Sequence, residues 1–123
     1  MKKILVIDDN PLVRQTLALL LEGEGYEIVT APDGKCGMSL YETEQPDLVI
    51  TDIIMPEMEG METIRALLLH SPNAKVIAIS GGGRTGNADF LRMARKLGAS
   101  ETFAKPFDPD ELVRTANRLI AAA

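Results

Sequence analysis

The chain contains no tryptophan, one histidine, one cysteine and few aromatic residues, which make up 4% of its length. A lone Cys36 excludes an internal disulfide and any cysteine-rich metal site, and suits a small buried or half-buried side chain. No uninterrupted apolar run reaches the length of a membrane span, and Met1-Lys2-Lys3 leads into a strand-like run rather than a signal peptide. The expectation is a soluble, cytoplasmic protein without membrane insertion. A formal net charge of −5 argues against nucleic acid as a direct partner. With so few rings, any core must be aliphatic. At 123 residues and 46% hydrophobic, the chain has enough such residues for one domain spanning 1–123.

Two apolar runs end in acid. Lys3-Ile4-Leu5-Val6-Ile7 delivers Asp8-Asp9, and Leu48-Val49-Ile50-Thr51 delivers Asp52, followed by Ile53-Ile54-Met55-Pro56. Continuous β-branched runs read as strands buried on both faces, as in a parallel sheet. An aspartate in the middle of such a strand is costly. At its open C-terminal end the cost is lower, and there α/β folds place their ligands.

Turn and cap residues divide the rest. Asn10 suits an N-cap with Pro11 at N1, and Val13, Leu17, Leu20 and Leu21 recur at helical spacing until Gly23 to Gly25. Tyr26 to Thr30 reads as a strand, and Asp33-Gly34 opens a helix ended by Gln45-Pro46. A third helix carries Met61, Ile64, Leu67 and Leu68 from Glu59-Gly60 to Ser71-Pro72. Val76 to Ile79 is a strand ending in Ser80-Gly81-Gly82-Gly83. A fourth helix carries Phe90, Met93, Ala94 and Leu97 and closes at Gly98. Glu101 to Ala104 is a short strand before Lys105-Pro106, and Asp108-Pro109-Asp110-Glu111 starts a last helix. Met38, Met58, Met61 and Met93 read as core or loop fillers. His70, near the end of the third helix, suits the negative end of the dipole.

Five strands alternating with five helices imply right-handed βαβ units around one parallel sheet: an α/β, doubly wound, flavodoxin-like (βα)5 fold. The second strand is the least hydrophobic, as an edge strand should be, and order 2-1-3-4-5, the arrangement of flavodoxin-like sheets, is the natural choice. That order puts Asp8, Asp9, Asp52, Ser80 and Lys105 on one edge of the sheet. Three neighbouring carboxylates repel unless a cation joins them, and hard oxygens without histidine or cysteine suit Mg²⁺ or Mn²⁺. A metal, an ammonium and a hydroxyl around one carboxylate make a phosphoryl-transfer site with Asp52 as nucleophile.

Val6-Ile7-Asp8-Asp9, Asp52 with Met55-Pro56 and Gly60, Ser80, and Lys105-Pro106-Phe107 together resemble the receiver domain of two-component response regulators, of the single-domain chemotaxis type in length. The resemblance covers the whole chain. It implies that Asp52 accepts phosphate from a phosphohistidine on a sensor histidine kinase or phosphotransfer protein. Asp8, Asp9 and Asp52, with the backbone carbonyl of Ile54, would hold Mg²⁺. Ser80 and Lys105 would meet the phosphoryl oxygens, across a cis Lys105-Pro106 bond. The family's partner surface is the fourth helix, fifth strand and fifth helix. With no output domain after Ala123, a stand-alone regulator acting by protein contact on an unknown target, or by onward transfer in a phosphorelay, is expected.

Three departures from the family pattern stand out. Thr102 occupies the position where the family usually has Tyr or Phe, and Phe103, one residue on, points to the other face as a core residue. Gly81 replaces a common alanine, and Gly81-Gly82-Gly83 is expected to reorder on phosphorylation in place of a rotating ring. Ile54 is apolar beside the path of attacking water, which predicts slow self-dephosphorylation. A haloacid-dehalogenase-like phosphatase also uses an aspartyl nucleophile, but needs a second aspartate two residues after the first, where Asn10 stands. A flavodoxin-like cofactor binder needs a Gly/Ser/Thr-rich loop where Asp-Asp-Asn-Pro lies. A pseudo-receiver that is never phosphorylated would not need the complete set of five polar residues.

Overall fold

A computed structural model describes residues 1–53, 59–80 and 87–122, except the side chains at 59 and 87–89. The strands are β1 (Lys3–Ile7), β2 (Glu27–Ala31), β3 (Leu48–Asp52), β4 (Val76–Ser80) and β5 (Glu101–Ala104). The helices are α1 (Pro11–Glu22), α2 (Gly34–Glu44), α3 (Glu59–His70), α4 (Asn87–Leu97) and α5 (Pro109–Ala121). All strand pairs are parallel and the sheet order is β2-β1-β3-β4-β5, as the alternating pattern predicts. The second strand begins one residue later than its sequence suggests, and the fourth runs one further, to Ser80.

Strand periodicity splits the core into two layers. Ile4, Val6, Leu48, Ile50, Ile77 and Ile79 face α1 and α5, where they meet Leu17, Leu21, Leu112 and Ala116. Leu5, Ile7, Val49, Val76 and Ala78 face the other way, against Ile64 and Leu67 of α3 and Ala94 of α4. Successive side chains point to opposite sheet faces, so a strand buried on both must be apolar throughout. β3 and β4 are buried at every position, whereas the edge strands β2 and β5 are mostly half-buried or exposed. Each fully buried leucine or isoleucine contributes roughly 1.5–3 kcal/mol, so the central strands anchor the sheet.

Local chemistry sets the helix ends. Asn10 caps α1, its Oδ1 accepting from Leu12 N at 2.9 Å, with Pro11 at N1. Asp33 caps α2 and Asp108 caps α5 in the same way. α2 closes on Gln45 in the left-handed region at φ 48°, and α4 is followed by Gly98 at φ 116°. Gly60 is required by space: a Cβ there would lie 2.2 Å from the Asp52 carbonyl oxygen, so α3 starts hard against the end of β3.

One helix face is only partly covered. Ala94 is buried, but Met93 and Leu97 are 47% and 37% exposed. The apolar arc of α4 is wider than the sheet and α3 can cover. Met61 is buried and Met38 half-buried. Met58, and the expectations for Ile54 and for the Gly81 to Gly83 loop, fall outside the described residues.

Candidate functional site

The site lies where β1 and β3 run out. Register places Ile7 beside Thr51, so Asp8 and Asp52 emerge together, and Asp52 lies beside Ile79, one residue before Ser80. Asp8 and Asp52 are only 2% and 6% exposed, whereas Asp9 is exposed. The open edge therefore does not leave Asp52 in water. Its burial is offset by a cation: Lys105 Nζ donates to Asp52 Oδ2 at 3.1 Å and to Asp8 Oδ2 at 3.3 Å. Burial, the largest single influence, pulls the Lys105 pKa down. The charges of Asp52 and Asp8 with their hydrogen bonds outweigh it, and the ammonium titrates above its ordinary 10.5.

The backbone holds these groups in place. Lys105 N donates to Ser80 O at 2.8 Å, tying the residue after β5 to the last residue of β4. Ser80 is fully buried and Ser80 pairs with Ala104 in the sheet register. The Lys105-Pro106 bond is cis, as the resemblance implies. Asn10 N donates to Asp8 Oδ1 at 2.9 Å, so both Asp8 oxygens are engaged. Arg14 Nη1 donates to Asp8 O at 2.7 Å, a clamp on the β1–α1 turn that the sequence reading missed. Its one signal is position: four residues after the Asn10 cap, a long cation one helical turn into α1 can reach back to the turn.

Asp8, Asp9 and Asp52 each offer a carboxylate oxygen, and these atoms lie within 4.8 Å of one another. This all-oxygen donor set, without nitrogen or sulfur, fits a small hard cation such as Mg²⁺. Ile54 lies outside the described residues. Thr102 and Phe103 sit on opposite faces of β5. Thr102 Oγ1 accepts from Arg95 Nε of α4 at 3.2 Å, and Phe103 packs edge-on against Phe107, centroids 6.2 Å apart, beside the α1/α5 layer. No helix among the described residues is long and apolar enough to cross a membrane.

Residues 4–117 match the family model of the response regulator receiver domain. The chain is 34% identical over 119 residues to the chemotaxis protein CheY of Thermotoga maritima, covering 96% of this chain and 97% of that one. It is 34% identical over 111 residues to sporulation initiation phosphotransferase F of Bacillus subtilis, covering 90% and 87%. A crystal structure of a response regulator receiver domain protein from Clostridium thermocellum superposes with a TM-score of 0.90 at 34% identity, covering 99% and 96%.

Proposed function

The chain belongs to the response regulator receiver family, and from that premise we propose that Asp52 takes a phosphoryl group from a phosphohistidine on a sensor histidine kinase or phosphotransfer protein. Receiver domains of this kind are signalling domains rather than enzymes with a turnover substrate. A carboxylate oxygen of Asp52 attacks phosphorus. The O–P bond forms as the P–N bond to the partner's imidazole breaks, and the bonding pair leaves with the ring nitrogen, which is then protonated. The product is an acyl phosphate on Asp52.

The observation that carries this reading is the Lys105 ammonium bonded to both Asp8 and Asp52, two of the three carboxylates that gather at this edge. In the transfer, Lys105 balances charge on the phosphoryl oxygens and Ser80 donates its hydroxyl to one of them. Asp8, Asp9 and Asp52, with the Ile54 carbonyl, are the residues that would hold Mg²⁺. The bound ion supplies positive charge to the transferring oxygens. We place this exchange in the cytoplasm, within a receiver domain of residues 1–123, with output by protein contact or onward phosphotransfer.

The test is intact-mass spectrometry after incubation with acetyl phosphate and Mg²⁺, with Asp52→Ala alongside. One phosphoryl adduct on the parent and none on the variant is expected. An adduct on both moves the acceptor elsewhere. No adduct on the parent, even with a beryllium fluoride titration that leaves its spectrum unchanged, leaves a pseudo-receiver.

A further inference from the structure

The uncovered part of α4 does not face open solvent on all sides. Met93 and Leu97, with Met61 of α3, form the apolar lining of a cleft of about 490 Å³ between the two helices, and Glu62, Arg65 and Lys96 complete its walls. The lining spans Met61 to Arg65 on one helix and Met93 to Leu97 on the other, roughly 6 Å along each axis. A docked helix anchors at i, i+3 or i+4, and i+7, which needs about 10 Å of groove. This cleft has room for a single anchor. It is a shallow, solvent-open depression, so a ligand there would keep one side in water. Methionine walls adapt to apolar bodies of varied shape.

Charge narrows the class. Arg65 and Lys96, one from each helix, make no ion pair or hydrogen bond among the described residues. Among the described residues, Glu62, Arg65 and Lys96 give the lining a net charge of +1, in a chain whose net charge is −5. We propose that the α3–α4 cleft binds a small amphiphile with an apolar body and one anionic group, the body lying on Met61, Met93 and Leu97 and the anion between Arg65 and Lys96. An aliphatic carboxylate is the simplest member of the class. The site is separate from the carboxylate cluster and does not rest on Asp52 being the phosphoacceptor.

Octanoate and uncharged octanol are the probes, titrated into the full chain with ¹³C-methyl methionine observed by NMR. Octanoate is expected to shift the Met61 and Met93 signals saturably at 1:1 stoichiometry and to leave Met1 unmoved, in the parent and in Asp52→Ala alike. Replacing both cations, Arg65→Gln with Lys96→Gln, weakens octanoate by about tenfold and leaves octanol unchanged. Leu97→Gln weakens both probes. These positions are exposed, and a circular dichroism melt checks that each variant is folded. The proposal is overturned if no signal saturates, if octanol binds as tightly as octanoate, or if the double variant binds octanoate like the parent. It is equally overturned if sedimentation shows self-association that Leu97→Gln abolishes and octanoate does not disturb, because the occupant is then a second copy of the chain.

Discussion

Three carboxylates and one ammonium meet at the sheet edge, and they are not equivalent. Asp8 and Asp52 are buried and both bond Lys105, so removing Lys105 would take away a cation that balances two buried charges at once. Asp9 is exposed and takes no part in the Lys105 bonds, yet an oxygen of it lies within 4.8 Å of the other two carboxylates. Without a divalent ion it therefore contributes repulsion and, among the described residues, no compensating bond. Asp9→Asn is expected to raise the melting temperature by a few degrees in EDTA and to reduce the further rise that Mg²⁺ gives the parent. Thermal melts of both proteins with and without Mg²⁺ read the two effects, which have opposite signs. A lower melting temperature for the variant in EDTA would mean that Asp9 is compensated by something other than a metal. The residue types at this edge were legible in the sequence, because two strands visibly end in acid. That Asp8 and Asp52 are buried while Asp9 is not was not legible, because burial depends on how β5, its following loop and α1 close over the edge.

The helices end where local chemistry stops them, and one ending is suboptimal. α2 closes on Gln45, whose N–H donates to Tyr41 O at 3.0 Å in the left-handed conformation. An L-residue there costs about 1–2 kcal/mol, whereas glycine adopts it freely but loses about 0.5–1 kcal/mol more chain entropy on folding. Gln45→Gly is therefore expected to stabilise the protein by about 0.5 kcal/mol, seen as a higher urea midpoint at unchanged slope. A lower midpoint would assign the exposed Gln45 side chain a contact worth more than the backbone strain. The Gln45-Pro46 pair signals the helix end in the sequence, but not the handedness of its last residue. Other element-level features escape sequence for a similar reason. Lys75 at the head of β4 reaches the Leu119 and Ala122 carbonyls and so caps α5, and Arg95 reaches Thr102, through long side chains that local pattern does not register. The apolar stripe of α4 is plain in the sequence, whereas how much of it a neighbour covers is decided by the spacing of α3.

At the scale of the whole molecule, strand count follows from the apolar runs, and the order, chosen as that of flavodoxin-like sheets with the least hydrophobic strand at an edge, brings residues 8, 52, 80 and 105 to one edge, so the site was readable before any coordinates. The site is thus a property of topology: its residues are distant in the chain and adjacent only when the sheet is complete. This has a thermodynamic consequence. In the unfolded chain, Asp8 and Asp52 are separated by a long flexible loop and do not form a common ligand set, so a divalent ion at the edge binds the native state selectively. With Mg²⁺ held at this edge as proposed, stability is expected to rise with the free ion as RT ln(1 + [Mg²⁺]/Kd), about 2.7 kcal/mol at one hundred times Kd. The two core layers share β1, β3 and β4, so opening one exposes the other, and the gain belongs to global unfolding. Urea unfolding at a series of Mg²⁺ concentrations, at constant ionic strength, is expected to move the midpoint upward without changing the slope, and Asp52→Ala is expected to flatten the response. Native-state hydrogen exchange locates the effect: the slowest amides of β1, β3 and β4 should gain protection by the same increment. Protection confined to the strand ends near Asp8 and Asp52 would show instead that the edge opens as a local unit, with the sheet behind it intact.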